Sequence, residues 1–391
     1  MDTENGSPLG RIKHEYSKHL QLRRDDELVI DYYYSLLAAV MHQGLSEPVW
    51  GWIIAPPSSG KTEVLKPTED YDGCIFVSSM TENSLLSGFS ENGEDPSLVL
   101  QLNGRLLTIK DFTAIMDMGM GVISKLMGDL RDCFDGSCSK ASGKVGLRKY
   151  KSRFGVCAAV TDRIDVFCNQ YQQLGERFLS FRMNRIPPTH DERLALLVHI
   201  QASMKGKDYW QAQLKEVVCT ELDKVKKLCL NTVLPVIPDD ASEVLRILAD
   251  LLSLFRTSAV GGTAVQPELG FRVLQQMMNL GLAHAVACGR TEWVEEDTLL
   301  VKRVFIDTLP VVRRRILMAM SSRGKHRPAM GAVQLATLCR TTKEEIVKVM
   351  VQYAHSGVVE QSGRQANEPT YRLLPSIYAT IIDYAVFGGG V

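Results

Sequence analysis

Four short runs, VWGWIIA (49–55), GCIFVSS (73–79), GRLLTIKD (104–111) and FGVCAAVT (154–161), are apolar almost throughout and bounded by Gly, Asp or Ser. Continuous apolarity over so few residues is the pattern of strands buried on both faces of a parallel sheet. Helix-like spacing fills the gaps between them, so residues 46–187 predict an α/β core. Upstream, residues 1 to about 25 are polar and charged. The stretch DDELVIDYYYSLLAAVMHQGL (25–45) repeats its apolar positions at helical spacing, which predicts a helix before the first strand.

The two prolines of RIPPTHDE (185–192) end the alternation. ERLALLVHIQASM, YWQAQLKEVVCTELDKVKKL, ASEVLRILADLLSLFRTSA, ELGFRVLQQMMNLGLAHAVACG and DTLLVKRVFIDTLPVVRRRILMAM then all read as amphipathic helices, a helical second domain over 188–320. After SSRGKHRP (321–328) come two more helices, VQLATLCR and KEEIVKVMVQYAHSG, joined by a Thr-Thr turn. VVEQSGRQANEPTYRLLP follows as strand, loop and strand, so 321–391 has the outline of a winged helix. No internal repeat interrupts this order.

Composition removes some function classes. With 391 residues, 45% of them hydrophobic, the chain can bury a large core, and the expectation is two or three domains. Its 45 basic and 45 acidic residues cancel, so binding to nucleic acid or to an anionic membrane has to come from local patches. The nine cysteines (74, 133, 138, 157, 168, 219, 229, 288, 339) form no CxxC pair and no zinc-like cluster, and read as small buried hydrophobes in a reducing compartment. MDTENGSPLGRIKHEY lacks an apolar leader core, and no apolar run approaches the roughly 20 residues that span a bilayer. The expectation is a cytoplasmic protein without a membrane partner.

The chemistry begins at GWIIAPPSSGKTEVL (51–65), a phosphate-binding loop G-x-x-x-x-G-K-[ST] with Ala55 in place of the first glycine. In such a loop the backbone N–H groups converge on phosphates, the lysine pairs with the β and γ phosphates, and the following hydroxyl ligates Mg²⁺. Pro57, Ser58, Ser59, Gly60, Lys61 and Thr62 supply these parts, which implies ATP and Mg²⁺ as ligands. Alanine fits at 55 if its φ stays negative. Pro67 keeps the helix that follows short. The alternative is a Ser/Gly loop that happens to precede Lys-Thr.

A carboxylate on a neighbouring strand should assist with metal and water. LLTIKDFTAI (106–115) leaves its register open: one alignment puts Lys110 at the metal aspartate's place and Asp111 at the base's, and the other puts Asp111 on the metal and Phe112 where the base should be. Asp111 is the carboxylate at that strand end in either case and takes the combined role. A helix N-cap for FTAIMDMGMGVISKLM is the alternative.

With these motifs in order, the chain resembles the AAA+ ATPases, particularly the helicase-like ATPases of phages and mobile elements and, more distantly, the minichromosome-maintenance helicases. The resemblance covers about 48–187 by motif and the remainder by domain order, which makes 188–320 a helical lid. It implies that Thr161, the polar residue ending the strand in AAVTDRID, orients the attacking water. It also implies that an arginine in LGERFLSFRM acts in trans on a neighbour's γ-phosphate, with Arg177 the first choice and Arg182 the second. Arg272, in QPELGFRVLQQ, resembles the lid arginine that meets the same phosphate. An ordinary surface salt bridge is the alternative for Arg177 and Arg182, and for Arg272 the alternative is that arginine is commonplace on an amphipathic helix. A homo-oligomer follows, in the form of a hexameric ring.

RDCFDGSCSKASGKVGLRKYKSRFG (131–155) carries Lys140, Lys144, Arg148, Lys149, Lys151 and Arg153 among Gly, Ser and Tyr150. It reads as a basic hairpin or a solvated loop. In the helicases it resembles, a hairpin here projects into the channel and grips DNA, and several copies in a ring would multiply a modest charge. In the C-terminal segment Arg340, Lys343, Lys348 and the wing residue Arg364 are the candidate DNA contacts, although Glu344 and Glu345 suit the helix dipole better than phosphate. Three functions fit: an ATP-driven ring motor on DNA, such as a replicative helicase or initiator of a phage, plasmid or genomic island; a loader, transposition regulator or defence switch of the same fold; and a nucleotide-gated winged-helix transcriptional regulator.

Overall fold

A computed structural model describes residues 6–45, 47–90, 94–143, 146–170, 177–183, 189–204, 206–231, 233–256, 269–322, 327–362 and 369–387. The chain divides into two compact units, Met1–Ile237 with Met278–Val301, and Pro238–Met277 with Lys302–Val391.

The first unit runs α1 (Pro8–His19), α2 (Arg24–Met41), β1 (Trp50–Ile54), α3 (Lys61–Leu65), β2 (Cys74–Val77), β3 (Leu106–Ile109), α4 (Thr113–Met116), α5 (Met120–Cys133), β4 (Ser137–Ser142), β5 (Gly146–Lys151), β6 (Gly155–Val160), α6 (Ile164–Gln170), β7 (Phe178–Arg182), α7 (His190–Met204) and α8 (Lys207–Asn231). Five of its strands form a parallel sheet in the order β2-β3-β6-β1-β7. The four apolar runs of the sequence are β1, β2, β3 and β6. The fifth strand, FLSFR, was read from sequence only as a segment carrying arginines.

Helices cover the sheet. Trp50, Trp52 and Ile54 of β1 share a core with Ile123, Leu126 and Leu130 of α5. Trp52 stacks on Phe178 with 4.1 Å between centroids, and Trp50 meets Phe134 edge-on at 4.9 Å. On the other side α2 lies against β1, β3, β6 and β7. Its three consecutive tyrosines point about 100° apart, as helical geometry dictates, and each finds a different partner. Tyr32 Oη donates to Leu179 O of β7 (2.9 Å), Tyr33 Oη bonds Thr108 Oγ1 of β3 (3.1 Å), and Tyr34 Oη bonds Tyr16 Oη of α1 (2.8 Å). Gly51 is required beneath this helix because a Cβ there would run into the Tyr32 ring.

The helix expected over 112–127 is two helices, α4 and α5, parted at Asp117–Gly119. Lys66–Thr68 form a 3₁₀ turn directly after α3, as Pro67 requires.

The second unit holds α9 (Asp239–Arg256), and then α10 (Phe271–Ala287) and α11 (Glu295–Thr308), within which the unit boundaries fall. It continues with α12 (Val311–Met320), β8 (Met330–Gly331), α13 (Ala332–Cys339), α14 (Lys343–His355), β9 (Val359–Ser362), β10 (Thr370–Leu373) and α15 (Pro375–Asp383). Pro310 splits the stretch read as one helix into α11 and α12. Strands β8, β10 and β9 form a small antiparallel sheet in that order, and α13 and α14 lie together. The fold class is α/β, a five-stranded parallel sheet flanked by helices, compatible with a phosphate-loop core.

Candidate functional site

Ligands of open parallel sheets bind outside the carboxyl ends of the strands, where strand order reverses. Here the chain leaves β1 toward the β2 edge, fills in β3 and β6, and then crosses to β7 on the far side of β1. A cleft of about 1000 Å³ opens at that place. Its walls include Pro56 to Glu63 after β1, Lys110 and Asp111 after β3, Thr161 after β6 and Met183 after β7. The sheet therefore brings the phosphate-loop motif, the acidic residue and the polar strand end together.

Within the loop, Ala55 is buried and continues the sheet, its N–H donating to Val160 O (3.1 Å). Left-handed backbone occurs instead at Ser58 (φ 62°) and Gly60 (φ 81°). A non-glycine residue held at positive φ concentrates at functional turns. Ser59 Oγ donates to Pro56 O (2.6 Å), and the Lys61 ammonium donates to Ala55 O (2.6 Å) and Pro56 O (2.9 Å). Burial lowers the pKa of Lys61, and the nearby Asp111 and Asp162 carboxylates pull it the other way. Tyr16 Oη donates to Val64 O of α3 (2.7 Å), so the short helix behind the loop is braced by α1.

Asp111 is exposed, and its Oδ1 accepts from Thr113 N (2.9 Å). That oxygen meets the first N–H of α4, whose N-cap residue is Phe112 and not Asp111, while the Asp111 charge still reaches Lys61. Phe112 is buried against Trp52, at 4.7 Å, and Lys110 is exposed on the cleft wall. Two hydroxyls on this wall, Thr113 Oγ1 and Thr161 Oγ1, are buried and have no hydrogen-bond partner among the described residues. Buried unsatisfied hydroxyls are rare and cost about 1–3 kcal/mol each unless a ligand or water meets them.

The far wall was not signalled by any motif. It comprises His19 at the end of α1, Leu20 to Arg23 from the α1–α2 connection, Leu196 of α7, and Trp210 of α8 stacked on His19 with 5.2 Å between centroids. Glu63 at the loop's helix is held by Lys207 Nζ (3.0 Å) and Gln211 Nε2 (2.9 Å).

The arginines are placed as follows. Arg177 lies with its guanidinium 5.6 Å from the Phe134 ring centroid. Arg182 is buried in β7, with Nη1 bonded to Asp165 Oδ2 (3.1 Å) and a second ion pair to Asp162, so its charge is spent within the chain. Arg272 belongs to the second unit, at the start of α10.

The basic stretch is indeed a hairpin, β4 paired antiparallel with β5. Its alternation sorts the cations by face. Lys140 turns inward to Leu86 O (2.6 Å) and Asp129 (3.2 Å), and Arg148 pairs with Asp95 (2.9 Å). Tyr150 is buried and donates to Asp95 (2.8 Å). Lys149 and Lys151 face outward and are exposed. Arg153 donates to Val40 O (2.9 Å) and Ala39 O (2.8 Å), capping the last turn of α2. Lys144 and Arg364 lie outside the described residues. Lys343 and Lys348 are exposed on α14, and Arg340 (φ 52°) is the exposed cap that ends α13.

Among the described residues no group of three His, Cys, Asp or Glu is gathered as a metal site, and no helix is long and apolar enough to cross a membrane. Comparison with protein-family models and with curated proteins returns no match.

Proposed function

We propose that the cleft binds ATP with Mg²⁺ and hydrolyses it, and that the chain uses the cycle to act on DNA as a ring-forming motor of the AAA+ kind. The observation that carries this reading is the convergence of the 56–62 loop, Lys61, Asp111 and the unpartnered Thr161 hydroxyl on one cleft at the carboxyl edge of a parallel sheet. The loop's N–H groups and Lys61 would hold the phosphates. Thr62 and Asp111 would offer the hard oxygen donors that suit Mg²⁺, and the ion would supply charge neutralisation for the phosphoryl oxygens. Thr161 Oγ1 would orient the attacking water, with Asp111 accepting its proton. The apolar wall of Leu20, Leu22, Leu196 and Trp210 suits the flat face of a base. The winged-helix outline of the second unit and the outward lysines of the hairpin support DNA as the partner, and Arg177 is retained as the arginine acting in trans.

A second reading has one observation in its favour. Asp111 Oδ1 accepts from the Thr113 N–H, which leaves its other oxygen to serve both metal and water, and this suits a slow nucleotide switch better than a motor. ATP turnover with and without single-stranded DNA separates the two. A motor predicts strong DNA stimulation, reduced about 100-fold or more in Asp111→Asn, with Lys61→Ala failing to bind nucleotide at all. Tight ATP binding with negligible turnover on any DNA would establish the switch, and undiminished binding by Lys61→Ala would overturn both.

A further inference from the structure

Two thiols meet where the hairpin leaves α5. Cys133 is the last residue of α5 and is buried; Cys138 is the second residue of β4 and is half-buried. Cys133 Sγ donates to Cys138 Sγ across 3.1 Å. Backbone bonds build this approach. Gly136 (φ 75°) donates its N–H to Cys133 O (3.1 Å), and Ser152 N closes on Gly136 O (3.0 Å), so the turn folds β4 back over the end of α5. Opposite Tyr150 in the ladder, Cys138 shares the inward face with Lys140 and Tyr150, both of which are fixed by their own bonds. The pair belongs to no part of the nucleotide cleft.

We infer that Cys133 and Cys138 form a redox-active dithiol whose oxidant is a low-molecular-weight disulfide, and that oxidation closes a Cys133–Cys138 bridge at the root of the hairpin. The Sγ atoms need to approach by about 1 Å to reach the 2.03–2.05 Å of a disulfide. The hydrogen bond from Cys133 lowers the pKa of Cys138, and the same bond with burial raises that of Cys133, which makes Cys138 the attacking thiolate. In the first step Cys138 Sγ attacks one sulfur of R–S–S–R, the S–S bond breaks, and the leaving thiolate takes up a proton. Cys133 then loses its proton and attacks Cys138 Sγ, displacing the second R–S⁻, which is protonated in turn. The protein loses two electrons and two protons, and the small disulfide becomes two thiols. Bridging would pin the outward lysines of β5 to the end of α5.

The test is exposure of the full chain to glutathione disulfide, acid quench, alkylation of remaining thiols and peptide mapping by mass spectrometry. The expected wild-type product is a Cys133–Cys138 cross-linked peptide that dithiothreitol reverses. Cys133→Ser should trap glutathione on Cys138, and Cys138→Ser should leave Cys133 free. Matching circular dichroism of both variants keeps the comparison valid if either substitution loosens the fold. Wild-type protein in which both cysteines are still alkylated, or in which Cys133 alone carries glutathione, overturns the inference. None of these readouts depends on nucleotide, so the result stands apart from the fate of the ATPase reading.

Discussion

At His284 three charged neighbours crowd a fully buried imidazole. Its Nδ1 lies 2.6 Å from Asp297, its Nε2 lies 3.5 Å from Asp31, and Asp297 is also bonded by Arg290 (2.6 Å) and by the Val294 N–H. Burial alone would lower the histidine pKa, but Cys288, Asp297 and Asp31 together raise it well above the ordinary value. A pKa raised on folding means the stabilisation is complete below about pH 6.5 and fades as pH rises through the higher folded value. Asp31 behaves oppositely: burial would raise its pKa, but His284 and Lys13 hold it below the usual range, so its contribution disappears in acid. Urea unfolding across pH should therefore show stability falling on the alkaline side. His284→Gln should lose about 3 kcal/mol near neutrality, as expected when a buried pair is broken from one side, and should flatten the alkaline limb. An unchanged alkaline limb in the variant would place the dependence elsewhere. No motif announces this cluster, because its members come from α1, α2, α10 and α11.

At the scale of elements, alternation along a strand decides what a charged stretch is for. The sequence showed a run of cations between 140 and 153, and only the pairing register reveals that Lys140 and Arg148 serve the fold while Lys149 and Lys151 meet solvent. Replacing both outward lysines with glutamate should weaken single-stranded DNA binding and reduce the salt slope by about 0.7 per lost phosphate contact, with little change in unfolding temperature. Lys140→Ala should do the reverse, since it strips Asp129 of its partner. Equal DNA binding by the double variant would remove the hairpin from the interface. Strands β1, β3 and β6 were legible because all their residues are buried and nearly all are apolar, and β2 because its residues are apolar although this edge strand is mostly half-buried. FLSFR escaped because Ser180 and Arg182 interrupt the apolar run, and the burial of Arg182 is compensated by Asp165 and Asp162.

For the molecule, the first unit holds the whole candidate nucleotide cleft, and the N-terminal helices are part of it. Sequence marked the loop and the acidic strand, where chemistry limits residue choice. It could not mark a wall built from His19 to Arg23 and Trp210, since apolar and polar residues of that kind occur everywhere and only tertiary contact selects them. Leu9, Ile12 and Tyr16 of α1 are buried, and each full burial contributes roughly 1.5–3 kcal/mol. A chain beginning at residue 23 should unfold at lower temperature and lose the rise in Tm that the proposed ATP binding predicts for the intact protein. Retention of the full ATP-induced rise would show that the α1 segment is no part of the site.

Ala55 has a bearing on how such loops are found in other genomes. Its N–H still bonds into the sheet just past β1 and its φ is not positive, and the left-handed turns fall at Ser58 and Gly60. A pattern that insists on glycine at the first position filters on a residue this geometry does not need. Scans that accept any small residue there, and weight the Gly-Lys-Thr end together with an acidic strand some 50 residues on, would retrieve chains that the stricter signature discards.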